Sequence, residues 1–109
     1  MTVENENIVA FDVDDTLVMH GKDGIEIDMY GRTIKVRIHQ EHINLLKNYR
    51  QRGFFIIVWS GNGFKWAETV VNALGLINDV NLIMTKPSRY IDDKDSSEWL
   101  GGRIFLEEV

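Results

Sequence analysis

Apolar positions along the chain fall into blocks of different period. Residues 8–11, Ile-Val-Ala-Phe, form a short continuous run, as in a strand covered on both faces. Residues 19–24, Met-His-Gly-Lys-Asp-Gly, read as a loop by their glycines. Apolar and polar residues then alternate on either side of Tyr30-Gly31, which is a hairpin signal. A turn centred there sets Ile27 opposite Ile34 and Glu26 opposite Lys35. Ile25, Ile27, Ile34 and Val36 share the apolar face. From residue 39 the spacing changes to that of a helix, with Leu45, Leu46 and Tyr49 on one side and Gly53 at its end. Residues 54–59 form a second buried strand, ended by Ser60-Gly61-Asn62-Gly63. Ala67, Val70, Val71 and Leu74 then recur at helical spacing before Gly75. Three short strands are predicted after that: 80–84, 89–91 running into Asp92-Asp93, and 103–108. A helical turn is expected near 96–100. Residues 1–7 are polar and are expected to fray.

This order predicts an α/β fold: one domain over residues 1–109, with a Rossmann-like, mostly parallel sheet flanked by helices. A β-hairpin flap, about residues 19–37, follows the first strand. In such sheets, sites form outside the carboxyl ends of the strands. Asp12, Ser60 and Asp92 or Asp93 each stand just past an apolar run, so three strands are expected to deliver polar residues to one rim.

Composition narrows the chemistry. The net charge of -5 argues against a general nucleic-acid coat or a binder of anionic membranes. The absence of cysteine excludes disulfides, thiolate catalysis and cysteine-ligated zinc. No apolar run approaches a membrane span, and no secretory leader pattern opens the chain, so a cytoplasmic protein is expected. Three acids packed at a strand end repel one another. A chain that places them there usually has a cation or a developing charge to set against them.

Asp12-Val13-Asp14-Asp15-Thr16 matches the DxDxT signature of the haloacid dehalogenase-like (HAD) superfamily, most of whose members are phosphotransferases. Ser60 resembles the second motif of that superfamily, Lys86 the third and Asp92-Asp93 the acidic fourth. The resemblance runs from about residue 8 to 106 and is closest to small, capless phosphatases. It implies a Mg²⁺-dependent phosphomonoesterase. Asp12 would attack phosphorus to give an aspartyl-phosphate, and Asp14 would protonate the leaving oxygen and then activate water. Ser60, the Gly61 amide and Asn62 would hold phosphate oxygens, and Lys86 would neutralise charge. The metal ligands would be Asp12, the Asp14 backbone carbonyl and Asp93, with Asp92 a second ligand or a partner for Lys86. Only residues 87–91 separate Lys86 from Asp92, where a parallel crossover takes about a dozen residues or more. Residues 80–84 are therefore expected as a short edge piece or as the start of an extended link. The absence of a cap implies an open site, for a bulky phosphoester such as a nucleotide, a nucleic-acid end or a phosphoprotein, or for a small substrate closed off by a partner subunit. The Tyr30-Gly31-Arg32 turn supplies a ring and a guanidinium that could stack on a base or bind a second phosphate.

Other readings compete. A phospho-acceptor or binding module on a HAD-like fold would keep the side chains without turnover. A receiver-type module would place its acceptor on a middle strand and its lysine on the last, which this chain does not. A metal-dependent nuclease would leave Ser60 and Lys86 without a role. Asp15 reads as a solvated turn residue and Thr16 as a loop-fixing one. His39 and His42 open a helix with no third ligand nearby, so capping or solvated roles are expected. His20 could line the site entrance, though nothing in the sequence requires it; Trp59 and Trp66 read as core, and Trp99 as core or exposed patch.

Overall fold

The computed structural model describes residues 7–108, apart from the side chains at 22 and 23. The expected fraying at the start of the chain falls almost wholly outside those residues. The molecule is a small mixed α/β structure with five strands and two α-helices among the described residues. Strands β1 (Ile8–Asp12), β4 (Phe55–Ser60) and β5 (Leu82–Thr85) form a parallel sheet in the order β1-β4-β5. Strands β2 (Val18–Met29) and β3 (Arg32–Ile38) form a separate antiparallel hairpin. Helix α1 (Gln40–Gln51) leads into β4, and helix α2 (Phe64–Ala73) links β4 to β5.

The hairpin has the expected register, Ile27 opposite Ile34 and Glu26 opposite Lys35. Tyr30 and Gly31 take φ values of 52° and 71°. Positive φ at both central residues is the geometry that matches the twist of a two-residue hairpin. Ile27 and Val36 are buried, and Ile25 and Ile34 pack on the core beside them. The segment expected as a loop is instead part of β2. His20 and Ile25 both lie opposite Val36, so residues 21–24 bulge from the ladder. Gly24 makes this possible, because a Cβ there would lie 1.9 Å from the Val36 carbonyl oxygen.

Both helices end as their spacing predicts, on Gly53 (φ 85°) and Gly75 (φ 69°). Leu46 and Ile43 of α1 and Ala67, Val70 and Val71 of α2 are buried with Ile56 and Val58 of β4 in one apolar cluster. β1 is less covered than expected. It is a sheet edge, and Ile8 remains 54% exposed.

The last third of the chain departs most from expectation. Segment 80–84 does form the short edge strand β5, but neither 89–91 nor 103–108 is a strand. The link after Lys86 is too short to return a parallel strand to the sheet. Tyr90 turns outward instead. Its hydroxyl donates to Asp95 at 3.3 Å and accepts the Ser96 amide at 3.1 Å, beside the single turn of 3₁₀-helix Ser96–Glu98. In the final segment the Leu106 amide and carbonyl are taken by imidazoles, so they make no sheet ladder.

Candidate functional site

The parallel register brings the ends of β1, β4 and β5 side by side. Asp12 lies opposite Trp59, and Ser60 lies opposite Thr85. The polar rim is therefore built by Asp12 and Thr85-Lys86, with Ser60 buried beneath it. The acids Asp92 and Asp93 are not part of it as strand-end residues, contrary to expectation, because no strand carries them. The Lys94 amide donates to the exposed Asp92 carboxylate at 3.0 Å and holds it below the usual carboxylate range. No group of three or more histidines and acids among the described residues is arranged to hold a metal ion.

Beyond β1 the chain closes a tight loop on one carbonyl. The Val13 oxygen accepts the amides of Thr16, Leu17 and Val18 at 3.2, 2.9 and 3.1 Å. Val13 is fully buried. Asp15 takes φ 60° at the exposed corner, which suits an Asp in a turn. The Thr16 hydroxyl reaches back to Asp12 Oδ2 at 3.4 Å, in keeping with a loop-fixing residue.

Asp12 and Asp14 emerge with different surroundings. Lys86 Nζ stands 4.0 Å from Asp12 Oδ1, so the lysine reaches the first acid despite the short chain after it. Asp14 is gripped by three side-chain donors. Trp66 Nε1–H lies 3.1 and 3.2 Å from its two oxygens, Asn62 Nδ2–H 2.8 Å from Oδ2, and His20 Nε2 2.6 Å from Oδ1. A carboxylate accepts only, which assigns the hydrogen to Nε2 of His20. Two of these donors come from the β4–α2 turn and α2, and the third from the bulged strand β2. The general-acid candidate is thereby fixed from two sides.

Ser60 lies beneath the rim rather than on it. It is fully buried, and its Oγ accepts the Asn62 amide at 3.0 Å. Its carbonyl takes the amides of Gly63 and Lys86 at 3.1 and 2.9 Å, tying the β4 turn to the end of β5. Gly61 and Asn62 are exposed at the mouth. Thr85 Oγ1 accepts the first amide of α2, from Phe64, at 2.9 Å. That bond supplies the N-terminal cap that Gly63 cannot.

Two hollows meet at Asp14. The larger, about 700 Å³, holds Asp12, Asp15, Thr16 and Lys86 and runs between β1 and residues 100–105. The smaller, about 240 Å³, lies under the hairpin turn between Trp66, Met29, Ile34 and Asn62, with Tyr30 and Arg32 at its lip. Asp14 lines both.

Sequence reasoning missed several parts of this arrangement. Trp66 is core, at 4% exposure, yet its indole N–H serves Asp14. Trp59 is half-buried against the larger hollow, and Trp99 is exposed. His39 does cap α1, accepting the His42 amide on Nδ1 at 3.2 Å, but neither histidine is solvated. Their rings stack 3.8 Å apart beneath the Phe105 edge. His42 Nδ1–H donates to the Thr16 carbonyl at 2.7 Å and its Nε2 accepts the Leu106 amide at 2.9 Å. His39 Nε2–H donates to the Leu106 carbonyl at 2.9 Å. The capping position of His39 was legible, whereas the distant partners were not. No helix among the described residues is long and apolar enough to cross a membrane.

No protein-family model, curated protein or solved structure matches the chain.

Proposed function

We propose that the protein is a phosphomonoesterase of the HAD-like type, acting on a phosphorylated substrate through an aspartyl-phosphate on Asp12. The observation that carries the reading is the division of labour at the end of β1. Asp12 stands open beside Lys86, while Asp14 is held by Trp66, Asn62 and His20. Asp12, touched among the described residues only by the Thr16 hydroxyl at 3.4 Å and Lys86 at 4.0 Å, keeps lone pairs for nucleophilic attack. Asp14, an acceptor of three hydrogen bonds, suits taking up the proton of the water that hydrolyses the aspartyl-phosphate. Lys86 and the Gly61 amide offset the charge of the phosphoryl group, while Ser60 shapes the turn from below by accepting the Asn62 amide.

The donors at the rim are carboxylate and carbonyl oxygens, which fit Mg²⁺ rather than a softer ion. Asp12 and the Asp14 carbonyl would hold it, with Asp93 or Asp92 completing the set. Bound there, Mg²⁺ would cancel the repulsion between Asp12 and an anionic phosphoester. A second reading keeps the same side chains without turnover: a phospho-acceptor that is modified on Asp12 beside Lys86.

One experiment separates the two. The protein is incubated with ³²P-labelled acetyl phosphate and Mg²⁺, and both protein-bound label and released phosphate are counted. Continuous release that disappears in Asp12→Asn supports the phosphatase. Label that stops at one per chain supports the acceptor. Wild-type turnover in Asp12→Asn removes both.

A further inference from the structure

We infer that the smaller hollow is a leaving-group pocket and that the group it takes is a nucleoside, which makes the substrate class a nucleoside monophosphate. The inference rests on the phosphatase reading and specifies its substrate. Asp14 lines both hollows, so a phosphoryl group at Asp12 with its ester oxygen turned to Asp14 has the smaller one open to its organic part. Shape and chemistry limit what that part can be. At about 240 Å³ the space is below the usual range for drug-sized ligands, roughly 300–1,000 Å³, so it suits one compact group.

Its sides are apolar and aromatic, from Met29, Ile34 and Trp66. Two of its polar side chains, His20 and Asn62, are already committed to Asp14. A bare sugar would find few partners here, whereas a flat ring would lie one face against the apolar side chains of Met29, Ile34 and Trp66. Tyr30 is 76% exposed at the lip and available to stack. Arg32 lines the same lip and has no ion pair among the described residues, so its guanidinium can stack on a base or take a base carbonyl.

The surroundings favour a single nucleotide over a polynucleotide end. A strand needs a basic track. Here Lys35 faces Glu26 across the hairpin, Arg37 is bound to Glu108, and the chain carries a net charge of -5.

The test compares AMP, ribose 5-phosphate, acetyl phosphate and a 5′-phosphorylated ten-nucleotide strand as substrates in Mg²⁺. In parallel, AMP is titrated against ¹⁵N-labelled protein without metal. Expected is a kcat/KM for AMP at least about tenfold above that for ribose 5-phosphate, the advantage of stacking one base. This ratio should collapse toward one in the double variant Tyr30→Ala/Arg32→Ala. Amide shifts on AMP addition should centre on Tyr30, Arg32, Asn62 and Trp66. Equal rates on AMP and ribose 5-phosphate, with acetyl phosphate still hydrolysed, would overturn the pocket and leave the phosphatase reading standing. A ten-nucleotide strand preferred over AMP would overturn the mononucleotide assignment. No hydrolysis of any compound, with AMP shifts present at the hairpin, would sink the phosphatase reading and support the pocket.

Discussion

Asp14 shows how one residue acquires a role from its neighbours. Three donors converge on its carboxylate, and none of them is adjacent in sequence. Hydrogen bonds to a charged group contribute about 1.5–3 kcal/mol, and removing one donor frees the carboxylate to turn. Trp66→Phe keeps most of the ring volume but deletes the N–H. It is expected to lower kcat about tenfold with a smaller change in KM, read from steady-state kinetics. Asp14→Asn should depress turnover far more than Mg²⁺ affinity, since the proposed metal contact is the main-chain carbonyl. Isothermal titration with Mg²⁺ checks this. Loss of binding in Asp14→Asn with retention in Asp93→Asn would reverse the ligand assignment.

At the scale of elements, the hairpin and the histidine pair are the two devices that shape the site. Tyr30 occupies a left-handed position that a Tyr adopts at some cost. Tyr30→Asn is expected to stabilise the fold by about 0.5 kcal/mol, seen as a higher urea midpoint at unchanged slope. The same change should weaken nucleotide selectivity, because the ring is lost. Gly24→Ala forces a Cβ against the Val36 carbonyl and should cost more than about 2 kcal/mol by the same measurement. The histidines have no spare nitrogen: each ring donates once and accepts once. His42→Phe would leave the half-buried Thr16 carbonyl and Leu106 amide without their imidazole partners, at about 1 kcal/mol each. Faster amide exchange at Leu106 is the expected signature.

Over the whole molecule, the chain's end is tied to the site it covers. Leu106 binds the histidines, His42 binds the DxDxT loop at Thr16, and Glu108 makes a two-pronged pair with Arg37 of β3 at 2.7 and 3.1 Å. The Arg37 guanidinium holds Glu108 below its ordinary value of 4.5. A depressed carboxylate contributes its stabilisation above the ordinary value and loses it as pH falls through the lowered one. The end of the chain is therefore expected to loosen under acid, below the usual carboxylate range. Amide exchange of residues 103–106, followed from about pH 6 to about pH 3, should show this. Glu108→Gln should show looser exchange already at neutral pH and a flatter acid dependence.

Local pattern determined most of the elements. Continuous apolar runs, period-2 alternation about Tyr30-Gly31, and helical spacing closed by Gly53 and Gly75 depend on nearest neighbours along the chain, and all of them correspond to observed strands and helices. The placing of Asp12 and Ser60 at adjacent strand ends also followed, since parallel strands align their carboxyl ends. Tertiary structure alone decided the rest. Strand propensity in 89–91 and 103–108 was overridden, in one case by a link too short for a crossover and in the other by imidazoles that took the backbone groups. The grip on Asp14 joins residues six, 48 and 52 positions away, and the Leu106 bonds span 64 and 67. Hydrogen bonds carry no period along the chain. They form where packing brings a donor to an acceptor, and that is settled only once the sheet, the hairpin and both helices have closed on one core.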